Sequence, residues 1–163
     1  MAERSDEDYM REALAEAVRG GQRGEIPIGA VLVLEGRVVA RAHNLKEARQ
    51  DPTAHAELLA ISEAAQRLGH WRLTGATLYV TVEPCPMCAG AMVLARISRL
   101  VYGAPDPKAG AVDSLMDVVR HPGLNHSIRV TGGVLAEECG EVMRNFFRAL
   151  REKKEEADDG AER

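Results

Sequence analysis

Aromatic residues, cysteines and long apolar runs are all scarce in this chain of 163 residues. Only 4% of the residues are aromatic and three are cysteine. No apolar stretch approaches the roughly 20 residues that a membrane-spanning helix needs, and the charged start, residues 1–12, lacks the apolar stretch of a secretory signal. So few cysteines, in an odd number, do not fit the disulfide framework of a small secreted protein. The sequence therefore predicts a soluble, cytoplasmic protein without a membrane partner.

The length and the composition fit one globular domain. Hydrophobic residues make up 45% of the chain and charged residues 28%, which is enough to bury a core. We predict a single domain over residues 1–152. The residues beyond it, 153–163, are charged and almost without apolar side chains, so we expect a disordered tail.

The net charge of −4 is unevenly distributed along the chain. Residues 1–12 carry two basic and five acidic side chains, and residues 152–163 carry three basic and six acidic ones. The body between these ends is therefore slightly positive. Such a body permits a basic surface for a nucleic acid but does not demonstrate one.

Apolar periodicity predicts alternating helices and strands. Met10, Leu14 and Val18 recur at helical spacing, and Gly20-Gly21 ends this first helix. The remaining predicted elements are strands over 28–34 and 38–42 joined by a turn at Glu35-Gly36, a helix capped by Asp51 with Pro52 in its first position, a strand over 76–82, a helix over 85–97, strands over 100–103 and 128–131, and a helix over 136–152. This order predicts an α/β protein, a three-layer α/β/α sandwich around a mixed sheet of about five strands.

Two short clusters carry the residue types of a metal site. They are His55-Ala56-Glu57 and Pro84-Cys85-Pro86-Met87-Cys88. One histidine and two cysteines make three ligands, which leaves the fourth tetrahedral position of a zinc ion for water, whereas structural zinc sites usually close with four ligands. Cysteine binds metal as a thiolate, and a helix N-terminus stabilises that anion. Cys85 and Cys88, three residues apart at a predicted helix start, lie on one face of that helix.

Glu57 is the residue in these clusters that need not be a ligand. It does not share a helix face with His55, but it can reach a metal-bound water from the side and transfer protons. A lone Cys-x-x-Cys would equally fit a redox pair. Together, however, the two clusters match the zinc-deaminase signature His-x-Glu followed by Pro-Cys-x-x-Cys.

The other cysteine and histidines lack this spacing. Cys139 is interpreted as a small buried hydrophobe on the last helix. The remaining histidines, which stay unassigned, are His43, His70, His121 and His126.

Further segments carry a resemblance to a known family. They are residues 26–33, Asn44, 51–57, 81–92, 114–118, 121–126 and 146–148. Over residues 8–151 the chain resembles the bacterial tRNA-specific adenosine deaminases of the cytidine-deaminase superfamily. The zinc motif specifies only the superfamily, and the later segments are those of the tRNA branch.

This resemblance implies an activity, a cofactor and partners. The activity is the hydrolytic conversion of adenosine to inosine at the wobble position of a tRNA anticodon loop, with an arginine tRNA as the expected substrate. One zinc ion per subunit would be held by His55, Cys85 and Cys88, while Glu57 moves protons as hydroxide attacks C6 of adenine and ammonia leaves. The implied partners are the anticodon stem-loop and a second copy of the chain in a cytoplasmic homodimer.

The resemblance also implies substrate contacts outside the zinc motif. Asn44 would contact the target nucleoside, and the backbone N–H of Ala56 would hold the base edge. The other implied contacts are Ile28, Val82 and Pro84 in the base pocket, Asp106 and Lys108 on a loop against the anticodon, and Phe147 and Arg148 on the helix that closes the site. The family commonly has a basic residue and a Lys-Thr-Gly turn at the positions of residues 104–110. This chain departs from that pattern, and two prolines stiffen the loop here.

Two other functions remain open from the sequence. One is a deaminase of a free base or nucleoside such as guanine or cytosine, against which the segments from Ser114 onward argue. The other is a non-catalytic, zinc-stabilised RNA-binding module, which predicts a closed metal site with a fourth protein ligand such as Cys139.

Overall fold

Five helices and five strands are interspersed along the described part of the chain. The computed structural model describes residues 3–162. The elements in chain order are α1 Asp6–Gln22, β1 Gly29–Leu34, β2 Arg37–His43, α2 Lys46–Arg49, α3 Ala56–Leu68, β3 Thr77–Val82, α4 Pro86–Leu94, β4 Arg99–Ala104, β5 Arg129–Thr131 and α5 Ala136–Ala161.

The five strands form one mixed sheet in the order β2-β1-β3-β4-β5. Strand β1 runs antiparallel to β2 and to β3, whereas β3, β4 and β5 are parallel. The β1–β2 turn is the predicted one, with φ of 52° at Glu35 and 74° at Gly36. Two consecutive left-handed residues are the mark of a type I′ turn, whose twist suits a hairpin.

Helices cover both faces of this sheet. Because side chains alternate along a strand, Leu32 of β1 joins a core cluster with residues of α3 and α4, whereas Val31 joins a second cluster with residues of α1 and α5. The α/β/α sandwich around a mixed five-stranded sheet is therefore confirmed. No helix in residues 3–162 has the length and apolar character needed to cross a membrane.

The parallel pairing of β3 and β4 fixes where the two predicted functional segments lie. Val82 is paired with Ala104, so the two strands end side by side. The turn that carries Cys85 follows β3, and the long connection to β5, residues 105–128, follows β4. We call this connection the β4–β5 loop. Both segments consequently begin at the same edge of the sheet.

Helix α3 begins later than the sequence predicts. Asp51 is not its N-cap; its Oδ1 accepts hydrogen bonds from the N–H (2.8 Å) and the hydroxyl (2.7 Å) of Thr53. This Asx turn satisfies the aspartate locally. His55 occupies the N-cap position instead and makes no side-chain capping bond.

The predicted ends of α1 and α4 are also wrong. Gly20 does not end α1 but lets it pack closely, since a Cβ on Gly20 would lie 3.0 Å from the imidazole of His43. Helix α4 ends at Leu94 rather than at residue 97 because Arg96 takes a left-handed conformation, with φ of 62°, and the N–H of Ile97 bonds back to Met92. This is a Schellman-type end without the glycine that usually signals it.

The predicted disordered tail is helical in the part that the structure describes. Helix α5 continues through Ala161, although its residues from Arg151 onward are exposed and bury nothing. The tail is rich in Lys, Glu and Ala, which favour helix. Low apolar content was therefore a poor guide to its local structure. Arg163, the last residue of the predicted tail, lies outside the described residues.

Candidate active site

Three metal-ligating side chains meet where α3 and α4 begin. Nδ1 of His55 lies 3.7 Å from Sγ of Cys85 and 3.4 Å from Sγ of Cys88. His55 is the N-cap of α3, Cys85 is the N-cap of α4, and Cys88 lies in the first turn of α4. Zinc binds sulfur at about 2.3 Å and nitrogen at about 2.1 Å, so neighbouring ligands of a tetrahedral ion are separated by roughly 3.6 Å. The observed spacing therefore fits one zinc ion.

The two thiols are electronically unequal. A hydrogen bond from Cys88, together with the charge of His55 and nearby backbone N–H groups, lowers the pKa of Cys85 to about 5. The same hydrogen bond, with burial, raises the pKa of Cys88. Both cysteines must be thiolates to bind a metal, so metal binding at this site releases protons.

Glu57 lies beside the three ligands on the first turn of α3 and is 4% exposed. Its Oε1 atom is buried and has no hydrogen-bond partner among residues 3–162. Burial is the main cause that raises the pKa of this carboxyl group, and the neighbouring Cys85 raises it further. A buried carboxylate oxygen without a partner is costly for stability, and a perturbed acid in such a place marks a functional group.

Asn44 is tied to the start of the same helix. It is 5% exposed, and its Oδ1 accepts a hydrogen bond of 2.9 Å from the N–H of Ala56. The backbone N–H of Ala56, which the resemblance assigns to the base edge, is fully buried and donates to Asn44 in the structure. Ala56 therefore orients Asn44 through this hydrogen bond.

Glu25, to which the sequence alone assigned no role, binds the start of helix α2, which follows Asn44 in the chain. Its carboxylate is 1% exposed and accepts hydrogen bonds from the N–H groups of Glu47 (2.7 Å) and Ala48 (2.9 Å). These N–H groups begin α2, directly after Asn44, and a negative charge there is favourable. A helix of four residues leaves no periodic pattern, so neither α2 nor its cap could be read from the sequence.

The predicted base-pocket residues flank the metal ligands. Val82 and Pro84 are buried at the end of β3, just before Cys85. Ala30 is paired with Val80 in the antiparallel β1–β3 ladder, and continuing this register places Ile28 opposite Val82. Ile28 is half-buried and packs against the core.

The outer predicted residues fall into two environments. The Oδ1 atom of Asp106 accepts hydrogen bonds from the N–H groups of Lys108 (3.0 Å) and Ala109 (3.2 Å), so this carboxylate shapes its own loop. Lys108, Phe147 and Arg148, in contrast, line one cavity of about 480 Å³.

We call this cavity the basic cavity. Its lining residues are Lys108, Met143, Arg144, Phe147, Arg148 and Arg151. Four of the six are cationic and none is acidic. The sequence analysis missed Arg144 and Arg151, although Arg144, Arg148 and Arg151 recur at the spacing of one helix face.

Glu83 is the most densely hydrogen-bonded carboxylate at this edge of the sheet, and the sequence analysis assigned it no role. It is 2% exposed. It accepts hydrogen bonds from the N–H groups of Asp106, Val112, Asp113 and Ser114, and also from the Ser114 hydroxyl. Burial alone would raise the pKa of Glu83, but these bonds hold it at about 2. The feature of the sequence that could have indicated this role is a charged residue directly after an apolar strand.

Cys139 lies on the other side of the sheet from the metal ligands. It is 1% exposed on α5 and belongs to the core cluster that contains Val31 and residues of α1. Its interpretation as a small buried hydrophobe is confirmed. The metal-ligating group formed by the described residues contains His55, Cys85 and Cys88 without Cys139, which argues against a closed four-ligand site.

Known proteins share both this sequence pattern and this fold. The model of the MafB19-like deaminase family matches residues 4–151. A tRNA-specific adenosine deaminase of Bacillus subtilis is 56% identical over 152 residues, which cover 93% of this chain and 94% of the relative. The chain belongs to the deaminases and, within them, to the family of tRNA-specific adenosine deaminases.

Solved structures agree with this membership. One comes from a study of A-to-I editing by tRNA:A34 deaminases at the wobble position of transfer RNA; it is 51% identical, has a TM-score of 0.80, and the match covers 82% of this chain and 97% of that one. A guanine deaminase from Nitrosomonas europaea has a TM-score of 0.76 at 24% identity, with 87% of this chain and 84% of that chain covered. The second similarity shows a shared fold alone.

Removal of Cys88, but not of Cys139, should abolish metal binding. We expect Cys88→Ala to weaken zinc binding by more than about 100-fold, because loss of a mere supporting contact to a ligand already costs 10- to 100-fold. Cys139→Ala is the matched control and should keep one zinc per chain. Metal content after dialysis, measured by mass spectrometry, checks both. Loss of zinc from Cys139→Ala would contradict the three-ligand site.

Proposed function

We propose that this protein is a zinc-dependent tRNA adenosine deaminase. It converts adenosine to inosine at the wobble position of a tRNA anticodon loop, with an arginine tRNA as the expected substrate. The observation that carries this proposal is the group of His55, Cys85 and Cys88 beside the buried, unpartnered carboxylate of Glu57. The high identity to a tRNA-specific adenosine deaminase supports the choice of substrate.

The reaction exchanges an amino group for oxygen. Adenosine and water give inosine and ammonia: a C–O bond forms at C6 of the base and the C–N bond there breaks. One zinc ion per chain would be held by His55, Cys85 and Cys88 and would supply the activation of water at neutral pH.

Glu57 carries the protons in this reaction. It takes a proton from the attacking water and delivers one to the departing amino group. Burial raises the pKa of Glu57, so its carboxylate is a stronger base than an exposed one. The lack of a hydrogen-bond partner for Oε1 leaves that atom able to bind the proton.

Asn44 and its neighbours hold the base. Ala56 fixes the Oδ1 atom of Asn44, which leaves the side-chain NH₂ group to donate to an acceptor nitrogen of adenine. Ile28, Val82 and Pro84 provide apolar walls that exclude bulk water from the base. Asn44 is therefore the polar contact to the base in this arrangement.

The basic cavity provides a surface for the RNA backbone. Arg144 pairs with Glu137 at 2.9 Å, whereas Lys108, Arg148 and Arg151 suit phosphate groups. Phe147 offers an aromatic face on which an unpaired base can stack. Lys108 lies on the β4–β5 loop, so this loop, which begins beside the metal ligands, forms part of the cavity wall. An anticodon loop held there could place one splayed base in the pocket at Asn44.

The bounds of the catalytic domain and the compartment in which the protein acts complete the proposal. We propose that residues 1–152 form the deaminase domain, a boundary supported by the family match over residues 4–151. We also propose that the protein acts in the cytoplasm, where tRNA substrates are found.

Loss of the Glu57 carboxylate should stop the reaction without loss of the metal. We expect the wild-type protein to form inosine from an anticodon stem-loop and not from free nucleosides. Glu57→Gln should lower kcat by about 10²- to 10⁴-fold, the usual contribution of an acid–base group, with one zinc per chain retained. Glu63→Gln, a control on the same helix at an ion pair with Arg67, should leave kcat unchanged. Equal activity on free guanine or cytosine, or an unimpaired Glu57→Gln, would contradict the proposal.

The basic cavity should account for part of the salt dependence of RNA binding. We expect Arg151→Gln to weaken stem-loop binding and to reduce the slope of log K against log salt by about 0.7, the value for one contact to a single strand. Arg72→Gln is the control, because Arg72 is exposed and stacks on Trp71 outside the cavity. Titrations at several salt concentrations measure both. An equal effect from the two variants would argue against a specific role of the cavity.

We further propose that two copies associate through the outer face of α4. This helix is apolar on all sides, yet Met87 is 37% exposed and Leu94 is 71% exposed. Gly90 and Ala91 lie between them on the same face, and a Cβ on Gly90 would meet nothing within 4 Å. An apolar helix of this kind is normally covered on both sides, so a second copy is the occupant we propose.

Leu94→Glu should therefore shift the protein from dimer to monomer. The charge would be buried against the partner, which is costly without a pairing group. Leu150→Glu is the control, since Leu150 is 51% exposed but lies on α5. Sedimentation over a range of concentrations gives the mass of each variant. A monomeric wild type, or dissociation by Leu150→Glu alone, would refute this interface.

A further inference from the structure

We propose that Glu83 is a positioning residue that fixes the β4–β5 loop against the turn carrying Cys85, and thereby sets the RNA-facing wall of the site. The inference rests on the proposed function and deepens it. In this role the Glu83 carboxylate acts through the backbone of the loop.

Both oxygens of the Glu83 carboxylate are engaged by the loop. Oε1 accepts from the N–H of Asp106 at 3.1 Å and from the hydroxyl of Ser114. Oε2 accepts from three successive N–H groups, those of Val112 (3.1 Å), Asp113 (2.9 Å) and Ser114 (3.0 Å). Successive backbone N–H groups that converge in this way form an anion-binding nest, and here its anion is a side chain of the same protein.

The backbone beside Glu83 strengthens the same attachment. The N–H of Glu83 donates to the carbonyl of Ala104 at 2.9 Å, and the carbonyl of Pro84 accepts from the N–H of Ala111 at 2.8 Å. The loop is thus joined to residues 83 and 84, immediately before the metal ligand Cys85. A change in the path of the loop would therefore be felt next to the ligand turn.

Gly110 shows how closely the loop passes Glu83. A Cβ at this position would lie 2.4 Å from the carboxyl carbon of Glu83 and 2.6 Å from the carbonyl oxygen of Asp106. No larger residue fits without movement of the loop or the carboxylate. The close approach and the five hydrogen bonds are separate indications that the loop is built around this one side chain.

The consequence for function follows from what the loop carries. Lys108, a member of the basic cavity, lies between Asp106 and Val112, the first two points of attachment. Because the attachment uses backbone N–H groups and one hydroxyl, the Lys108 side chain is left to face the cavity. His55 and Glu57, in contrast, are held by α3 and do not depend on the loop. Release of the loop should therefore weaken RNA binding more than it slows the chemical step.

Glu83→Gln tests this separation. An amide has one acceptor oxygen and a donor NH₂ group in place of the second oxygen, so several loop N–H groups lose their acceptor. We expect amide hydrogen exchange at residues 112–114 to become at least about tenfold faster and KM for the stem-loop to rise about tenfold, which corresponds to one hydrogen bond to a charged group. The fall in kcat should be smaller than the rise in KM, and zinc content should stay at one per chain.

Two further variants separate positioning from general damage to the fold. Ser114→Ala removes one donor and leaves the carboxylate with its four N–H partners, so its KM and exchange rates should stay close to wild type. Gly110→Ala perturbs the same attachment from the loop side and should raise KM as Glu83→Gln does, so the test survives if Glu83→Gln fails to fold. Unchanged exchange at 112–114 in Glu83→Gln, or a loss of activity that follows loss of zinc, would overturn the proposal. Absence of inosine with the wild-type protein would instead refute the proposed function, and hydrogen exchange would still decide whether Glu83 holds the loop.

Discussion

The site depends above all on two helices that begin at the same point. Helices α3 and α4 pack on one face of the sheet, and their first residues supply His55, Cys85 and Cys88. The free N–H groups at a helix N-terminus favour negative charge, which suits cysteine thiolates that bind a metal. The packing of small side chains such as Ala60 and Ala89 against the strands therefore sets the distances between ligands that lie far apart in the sequence.

Two buried glutamates illustrate how the same side chain serves opposite purposes. Glu83 has every acceptor position engaged, and its pKa is held at about 2 by hydrogen bonds. Glu57 is equally hidden from solvent but has one oxygen without a partner, and its pKa is raised. A carboxylate that is fully satisfied is a structural anchor, whereas one that is left unsatisfied retains affinity for a proton. Burial alone would not have distinguished them.

The sequence predicted the parts of this protein that local chemistry determines. The turn at Glu35-Gly36, the layer order and the juxtaposition of the two ligand clusters all follow from short patterns. Interactions between distant segments could not be predicted in this way. The five donors to Glu83 come from residues 106–114, and the bond between Ala56 and Asn44 depends on the meeting of β2 and α3. The end of α4 also depends on a left-handed backbone conformation at Arg96, which an arginine in the sequence does not predict.

The hydrogen bond from the Ala56 N–H to Asn44 Oδ1 connects the recognition of the base with the catalytic groups. Ala56 stands between His55 and Glu57 in the chain, so the residue that we assign to base recognition is attached to the segment that supplies a ligand and the proton carrier. A change at Asn44 made to accept another base would also loosen the first turn of α3. Substrate preference and catalytic competence are therefore mechanically coupled in this protein, and a new specificity would require compensating changes at the start of that helix.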